Sequence, residues 1–303
     1  MNWRISANVK RAEEGDRVKL ATIRINGTEQ AAIASEDGFV PVSSINGAEN
    51  RNWPVRCFDL LQSGEWESLR QWLAEEGAGK LLGLPSIPAE EADCAPLYRQ
   101  PRKIWGIGIN YVASAEELKT MPPGSEPVSF MKPDTTMIGP GDPICLPPQS
   151  GEVTAEAELA IVIGKTCKNI SEAEAPGVVA GFAAALDMTA ADIHAQNPRF
   201  LTRAKSFDTF FSFGPELITA DEIPDLSDLT VETALNGEVR HRNRIGNMRY
   251  HPWFIVSFHS RVMTLLPGDI ILTGTPGAVT VRDGDLAECR ISGFASLINP
   301  VKG

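Results

Sequence analysis

The residues best suited to chemistry in this chain are two glutamates one position apart, Glu156 and Glu158, next to an apolar run that ends at Ile163. If the run is a strand, successive side chains alternate between its faces, so both carboxylates can reach one cation. Asp187 ends the next apolar segment and supplies a third oxygen ligand if the two segments lie side by side. Such ligands suit Mg²⁺ or Mn²⁺ better than Zn²⁺. Spacing alone leaves open the alternative that the glutamates are the solvent face of a half-buried strand.

Length and charge narrow the class of protein. The 303 residues are enough for one large domain or for two. A net charge of −11 argues against a nucleic-acid or anionic-membrane partner, so we expect a small-molecule substrate. No apolar run approaches the roughly 20 residues of a membrane span, and residues 1–11 lack the apolar core of a signal peptide, which favours a cytoplasmic location. The five cysteines are scattered without paired spacing, as expected of free thiols.

The first third of the chain reads as a small α/β domain. Strands are predicted at 18–25, 30–34 and 39–42, with turn signals at Asn26-Gly27 and Asp37-Gly38. A helix follows, and its apolar stripe comprises Trp66, Leu69, Trp72 and Leu73. Four prolines between 85 and 101 disfavour regular structure. We therefore predict an N-terminal domain at 1–95 and a second domain at 101–303.

The second domain is predicted to be β-rich, which gives a mixed α+β fold class. Short apolar runs bounded by Pro and Gly occur at 104–109, 158–163, 181–186, 229–235, 269–272 and 286–291. One helix is expected after a capping box at Ser171–Glu174. Another is expected at 253–265, with Phe254, Phe258, Val262 and Leu265 on one face and a structural His259. His241 and His251 lie among arginines and aromatics, and the pattern assigns them no role.

Nine short motifs from about Pro101 to Gly303 resemble, in order and spacing, those of the fumarylacetoacetate hydrolase family, whose enzymes cleave, decarboxylate or isomerise 2-oxo and 1,3-dicarbonyl acids. They are Gly108-Ile-Asn-Tyr111, Phe130-Met-Lys-Pro133, Glu156-Ala-Glu-Leu159 with Val162-Ile-Gly-Lys165, Asp187-Met-Thr-Ala-Ala-Asp192, Lys205-Ser-Phe-Asp208, Gly214-Pro215, Leu235-Asn-Gly-Glu238, Pro267-Gly-Asp269 and Thr273-Gly-Thr-Pro276.

The resemblance implies a β-roll catalytic domain with a small N-terminal domain packed alongside, and a homodimer. It implies that Glu156, Glu158 and Asp187 bind Mg²⁺ or Mn²⁺ at the mouth of the roll. It further implies Lys205 as the catalytic cation beside the substrate. Substrate binding is carried over to Thr275, Lys132 and Tyr111.

This chain departs from the family pattern where hydrolytic members activate water. Ser114 stands where they carry a histidine, and Glu117, at the position of the paired glutamate, has lost that partner. Ala191 replaces the usual arginine, and His194 replaces a glutamine. His194 is a candidate catalytic base, because a neutral imidazole suits proton transfer near pH 7. A pocket-lining or structural His194 is the alternative.

The retained groups favour chemistry that requires no activated water. A divalent ion that binds the 2-oxo and carboxylate oxygens of a substrate stabilises an enolate, through which tautomerisation and decarboxylation both pass. We therefore predict a metal-dependent tautomerase (isomerase) or decarboxylase acting on a 2-oxo acid or β-dicarbonyl compound. The alternatives are an acylpyruvate- or fumarylacetoacetate-type C–C bond hydrolase and an inactive relative that binds a ligand without turnover.

Overall fold

The computed structural model describes residues 19–35, 38–119, 122 and 125–303. Its strands are β1 (Lys19–Ile25), β2 (Thr28–Ser35), β3 (Gly38–Pro41), β4 (Ile104–Gly108), β5 (Val128–Lys132), β6 (Met137–Ile138), β7 (Ile144–Cys145), β8 (Val153–Ile163), β9 (Val179–Ala190), β10 (Phe211–Phe213), β11 (Glu216–Ile218), β12 (Thr230–Leu235), β13 (Glu238–Arg244), β14 (Ile270–Leu272), β15 (Ala278–Val281), β16 (Leu286–Ile291) and β17 (Leu297–Lys302). Its helices are α1 (Val42–Glu49), α2 (Cys57–Ser63), α3 (Glu65–Trp72), α4 (Ala78–Leu81), α5 (Ala115–Leu118), α6 (Ala191–Gln196), α7 (Leu201–Lys205) and α8 (Pro252–Val262), with a π-helical turn at Leu73–Gly77.

Two sheets organise the described residues. The larger has twelve strands along the path β3-β2-β1-β11-β9-β8-β14-β4-β5, with β6, β10 and β15 pairing off this path. The smaller has five strands in the order β13-β12-β16-β17-β7. Neither sheet closes on itself within the described part of the chain. The fold is therefore mixed and β-rich, as predicted.

The long antiparallel pair β8–β9 lies at the centre of the larger sheet and separates two apolar clusters. Alternate residues of β8, including Leu159 and Ile161, pack in a cluster with Val231 and Leu297 of the smaller sheet. Residues of the opposite face, such as Val162, pack in the cluster formed with the N-terminal helices. Both faces of β8 are thus covered, which explains why its sequence is a nearly continuous apolar run.

The N-terminal strands extend the same large sheet, because β1 pairs with β11. The predicted stripe of α3 is buried, with Trp66 4% and Leu69 0% exposed, so it belongs to the core. The proline-rich segment 85–101 contains no helix and no strand beyond isolated bridges, as its composition predicts. Val18 and Asp37, which belong to a predicted strand and a predicted turn, lie outside the described residues.

Two helix predictions are wrong in detail. Glu174 Oε2 accepts from both the N–H and the hydroxyl of Ser171, which is one half of a capping box, but only a 3₁₀ turn at Ala175–Val178 follows. The prediction failed because Pro176 and Gly177, which continue a helix poorly, follow the box after a single residue, Ala175.

The second wrong detail concerns α8, which ends at Val262, before Leu265. Val262 is 56% exposed, whereas Ile255 and His259 are fully buried. The buried face therefore differs from the predicted one, and His259 lies within it. Its Nδ1 contacts the Ile255 carbonyl oxygen at 2.8 Å and its Nε2 contacts Ser129 Oγ at 3.0 Å, as expected of a structural residue. No described helix is long and apolar enough to cross a membrane.

Candidate active site

The three predicted metal ligands lie together at the centre of the β8–β9 pair. Glu156 and Glu158 lie on one face of β8, and Glu156 is directly opposite Asp187 in the antiparallel register. One carboxylate oxygen from each of the three residues lies within 4.8 Å of the other two. Strand alternation places the two glutamates side by side, and the register between the strands adds the aspartate.

Two buried lysines surround these carboxylates. Lys205, the last residue of α7, donates to Glu156 Oε2 at 2.8 Å, Asp187 Oδ2 at 2.5 Å and Thr189 Oγ1 at 2.7 Å. Its ammonium also lies 4.7 Å from the ring centre of Phe130. The predicted catalytic cation is therefore held against the predicted metal ligands.

Lys132, at the end of β5, is the second lysine, and its side chain is 0% exposed. Its ammonium donates to Asp187 Oδ1 at 2.6 Å, to the Lys205 carbonyl oxygen, and to the Met188 carbonyl oxygen at 3.4 Å. Because a lysine ammonium carries three hydrogens, these protein acceptors use its whole donor capacity. Lys132 thus contacts the site through Asp187 and the backbone.

The charges of the site do not cancel, because three carboxylates and two ammonium groups leave a net charge of −1 when all are ionised. Burial and the neighbouring Asp187 and Glu156 carboxylates raise the pKa of Glu158 well above its ordinary value. Burial also raises the pKa of Glu156, although Lys205 opposes this rise. Burial acts in the same direction on Asp187, but Lys132 and Lys205 outweigh it and lower its pKa.

A hard divalent cation fits this donor set. The ligand cluster contains only carboxylate oxygens, the donors that Mg²⁺ and Mn²⁺ prefer. Glu158 uses Oε2 to accept from the Gly274 N–H at 2.6 Å, which orients its carboxylate. A cation held by Glu156, Glu158 and Asp187 would also remove the repulsion that raises the pKa of Glu158.

We expect metal affinity to fall as the pH is lowered from about 8 to about 5, because a carboxylate with a raised pKa binds a proton that competes with the ion. The direction of this change in metal affinity follows from Glu158 and Glu156. Their pKa values are raised in the metal-free protein, so protons compete with the ion at a pH closer to neutral. Calorimetric titration with Mn²⁺ across this range measures the effect, with circular dichroism as a control that the protein stays folded. A pH-independent affinity would contradict this prediction.

The turn Thr273–Gly277, between β14 and β15, closes one side of the site. Gly274 has φ +96°, and a Cβ on it would lie 2.8 Å from Asn110 Cβ. Thr275, predicted to bind substrate, is half-buried. Its Oγ1 donates to the Gly277 carbonyl at 3.1 Å and accepts from the Gly277 N–H at 3.2 Å. Only glycine at position 274 lets the turn approach this closely and present its N–H to Glu158.

Replacing Gly274 by Ala should lower the free energy of unfolding by about 1–3 kcal/mol and weaken Mn²⁺ binding, because the added methyl is both strained and crowded. Gly237→Ala is the matched control, since Gly237 has φ +83° but no atom within 4 Å of an added Cβ. Denaturant unfolding and calorimetry supply the two measurements. If both variants lost the same free energy of unfolding and the same Mn²⁺ affinity, the close approach to Asn110 would contribute nothing to either quantity.

Asn110 is a site-forming residue whose individual role the sequence did not identify. It is 1% exposed, and its Nδ2 donates to the Thr273 carbonyl at 2.7 Å and to the Tyr250 carbonyl at 3.0 Å. Its Oδ1 accepts from the Tyr250 N–H at 2.9 Å. Its place in the Gly108–Tyr111 motif was the only available signal, because these backbone partners are far away in sequence. Asn110 thereby fixes the turn that orients Glu158.

Tyr111, predicted to bind substrate, is near enough to Glu158 for the charge of that carboxylate to affect its phenol. Burial first, and then the neighbouring Glu158 and Cys289, raise the pKa of its phenol well above the ordinary value. Its hydroxyl is buried and has no hydrogen-bond partner among the described residues. A buried polar group without a partner is costly in a folded protein, so this hydroxyl is a candidate donor to a bound molecule.

The remaining predicted residues lie outside the carboxylate cluster. His194 is half-buried on α6, and its ring makes no hydrogen bond with the residues that the structure describes. Ser114 caps α5 by accepting from the Glu117 N–H at 3.4 Å. Glu117 accepts from the Ala113 N–H at 2.9 Å and lies 3.6 Å from Arg249, so it stabilises its own helix and a surface contact.

Comparison with known proteins agrees with this geometry. The family model for the fumarylacetoacetate (FAA) hydrolase C-terminal domain matches residues 103–302. The chain belongs to the fumarylacetoacetate hydrolase family. Mitochondrial oxaloacetate tautomerase FAHD2A from Bos taurus is 37% identical over 259 residues, which are 82% of this chain and 80% of that protein. The predicted family is confirmed.

Solved structures extend the likeness to nearly the whole chain. Fumarylacetoacetate hydrolase from Exiguobacterium antarcticum has a TM-score of 0.82 at 28% identity and covers 94% of this chain and 99% of its own. Maleylpyruvate hydrolase from Sphingobium sp. SYK-6, in complex with manganese(II) and pyruvate, has a TM-score of 0.77 at 30% identity. The match covers 94% of this chain and 98% of that protein. Because such relatives are tautomerases and hydrolases of small organic acids, this family member is an enzyme.

Proposed function

We propose that this protein is a divalent-metal-dependent tautomerase that interconverts the keto and enol forms of a 2-oxo acid or β-dicarbonyl compound through an enolate. Decarboxylation of a substrate with a carboxylate on C3 would use the same enolate. The observation that carries the proposal is the cluster of Glu156, Glu158 and Asp187 with the ammonium of Lys205 held against it. The bovine relative named oxaloacetate tautomerase supports the choice of reaction.

In this proposal, Glu156, Glu158 and Asp187 bind Mg²⁺ or Mn²⁺. The bound ion supplies Lewis acidity, which polarises the carbonyl of a chelating substrate. Lys205 offsets the negative charge of the enolate. Burial opposes its charged form, but Asp187 and Glu156 outweigh burial and raise its pKa, so the ammonium stays protonated and acts as a fixed positive charge.

The other predicted residues are proposed to bind the substrate, to position the site or to accept a proton. The hydroxyls of Thr275 and Tyr111 are proposed to bind substrate oxygens, and Tyr111 has the buried hydroxyl that lacks a described partner. We reassign Lys132 from substrate binding to positioning, because its side chain is 0% exposed, whereas that of Lys205 is 8% exposed. His194 is kept as the proposed proton acceptor, since its ring is free of hydrogen bonds to the described residues.

Hydrolysis of a C–C bond is the second candidate, and the maleylpyruvate hydrolase neighbour favours it. In that case a base must activate water, a contribution of about 10²- to 10⁴-fold. Ser114 caps a helix and cannot act as an imidazole base. Hydrolysis therefore requires an activated water in addition to the enolate chemistry, and Ser114 stands where hydrolytic members carry a histidine, which is why we rank hydrolysis below tautomerisation.

One experiment separates the two reactions. Proton NMR in D₂O follows the protein with Mg²⁺ and either oxaloacetate or acetylpyruvate, with EDTA and Glu156→Ala as controls. Metal-dependent deuterium exchange at C3 would support tautomerisation, and pyruvate formed from oxaloacetate would indicate decarboxylation. Acetate plus pyruvate from acetylpyruvate would establish the hydrolase. If both substrates stayed unchanged in metal-loaded protein, the proposed substrate class would be wrong.

We also propose that the protein is a cytoplasmic homodimer. The net charge of −11 supports a location away from anionic surfaces, and the family resemblance supports the dimer. Light scattering of the purified chain tests the dimer, and a mass of one chain would exclude it. Fractionation of the source cells tests the location.

A further inference from the structure

The turn Thr273–Gly277 is held from behind by the smaller sheet. Thr233, on β12, is fully buried and donates from Oγ1 to the Gly277 carbonyl oxygen at 2.8 Å. The same hydroxyl accepts from the Ala157 N–H at 3.2 Å. Ala157 stands between the two proposed glutamate ligands, so one side chain connects the carboxylate strand to the turn that carries Thr275.

His241, on β13, contacts the same turn. It is paired with Thr233 in the antiparallel register, so the two side chains share one face of the sheet. A Cβ added to Gly277 would lie 2.4 Å from His241 Cγ and 2.5 Å from Nδ1. The imidazole therefore occupies the space that a side chain at 277 would need.

An irregularity in the strand pairing accompanies this contact. Thr233 pairs with His241, whereas the next residue of β12, Ala234, pairs with Val239, so Arg240 is an extra residue in β13. Such a bulge bends a strand and redirects the side chains beside it. It lies next to His241, the residue whose ring packs against Gly277.

We propose that Thr233 and His241 form a clamp that positions the Thr273–Gly277 turn for substrate binding, with His241 as a positioning residue that acts through Gly277 and Thr275. Thr275 Oγ1 exchanges hydrogen bonds with both the carbonyl and the N–H of Gly277, so a displaced Gly277 displaces the hydroxyl. The inference rests on the proposed function, because it assigns Thr275 to the substrate. It gives a role to a histidine that the motifs leave unassigned.

A size-swap experiment tests the clamp. His241→Ala removes the ring, and Gly277→Ala adds a methyl group in the same space. The φ angle of Gly277 lies outside the left-handed region, so the backbone tolerates alanine there and only the contact with His241 opposes it. Each single variant should raise KM by about tenfold with kcat changed less than about twofold, because a displaced binding group weakens substrate binding. The double variant should have a KM below the product of the two effects, because loss of the ring removes the two closest contacts of the added methyl and leaves only the Cβ of residue 241, at 2.9 Å.

Arg242→Gln is the matched control. Arg242 is the next residue of β13, its side chain lies on the other face, and it pairs with Glu232 at the surface, so KM should not change. His241→Gln, which restores much of the lost volume, should recover most of the loss of His241→Ala. The proposal is overturned if Gly277→Ala is equally harmful with and without the ring, or if the His241 variants lower only the melting temperature.

The same variants separate failure of the clamp from failure of the proposed function. If the wild-type protein turns over neither oxaloacetate nor acetylpyruvate, the proposed function fails. The wild type, the two single variants and the double variant are then compared by their Kd for pyruvate in the presence of Mn²⁺. The clamp would still be supported if each single variant bound pyruvate more weakly and the double variant lost less affinity than the two effects combined. Absence of pyruvate binding, or single variants that bind it like the wild type, would overturn it.

Discussion

Lys205→Met is expected to lower turnover by about 10²- to 10³-fold, the loss typical of removing one preorganised charge from a catalytic site. The ammonium donates to Glu156, Asp187 and Thr189, so its charge is fixed against two of the proposed metal ligands, beside which the proposed function places the enolate. Methionine keeps the approximate length of the side chain and removes the charge. Steady-state kinetics in the presence of Mg²⁺ measure the effect, which should appear in kcat more than in KM.

Lys165→Met is the control for this substitution, because Lys165 is an exposed residue beyond the end of β8. It makes the same chemical change and should leave kcat unaltered. Metal binding by the Lys205 variant must be measured as well, since loss of a neighbouring cation should tighten Mn²⁺ binding. Full turnover in folded, metal-loaded Lys205→Met protein would refute the assigned role.

The second large effect is expected on stability. Lys132→Met should lower the free energy of unfolding of the metal-free protein by about 3–5 kcal/mol, because it removes one partner of a fully buried ion pair. Neither Lys132 nor Asp187 has any side-chain exposure, and three acceptors would each lose a hydrogen bond. Denaturant unfolding at neutral pH, monitored by circular dichroism, gives the difference.

Lys165→Met again serves as the control and should change stability by less than about 0.5 kcal/mol. Saturating Mn²⁺ should restore part of the lost stability of Lys132→Met, because a cation at the carboxylates replaces some of the missing positive charge. A Lys132→Met protein as stable as the wild type, with or without metal, would show that the buried ammonium contributes no net stabilisation.

Local patterns predicted the parts of the structure that depend on neighbouring residues. The alternation of side chains placed Glu156 and Glu158 on one face of a strand. The helical stripe of Trp66 and Leu69 proved to be core. One prediction failed because a second local signal was overlooked: the capping box at Ser171 led only into a 3₁₀ turn, since Pro176 and Gly177 follow it.

Motif order was sufficient to predict the family, and the match over residues 103–302 confirms it. The roles of individual residues were harder to predict. Lys132 and Lys205 each lie in a motif, but the motif does not say which ammonium is available to substrate. That distinction depends on packing against distant parts of the chain, which buries the Lys132 side chain completely and leaves that of Lys205 8% exposed.

By itself, the sequence determined the β-rich class, the acidic pair and the family, because these depend on residue types and short spacings. Only the tertiary structure decided which side chains meet. The register of β8 against β9 brings Asp187 opposite Glu156, and the packing of the smaller sheet brings His241 against Gly277. Such contacts join residues far apart in the chain, so no local pattern records them, and they are fixed only when the two sheets bury their shared apolar core.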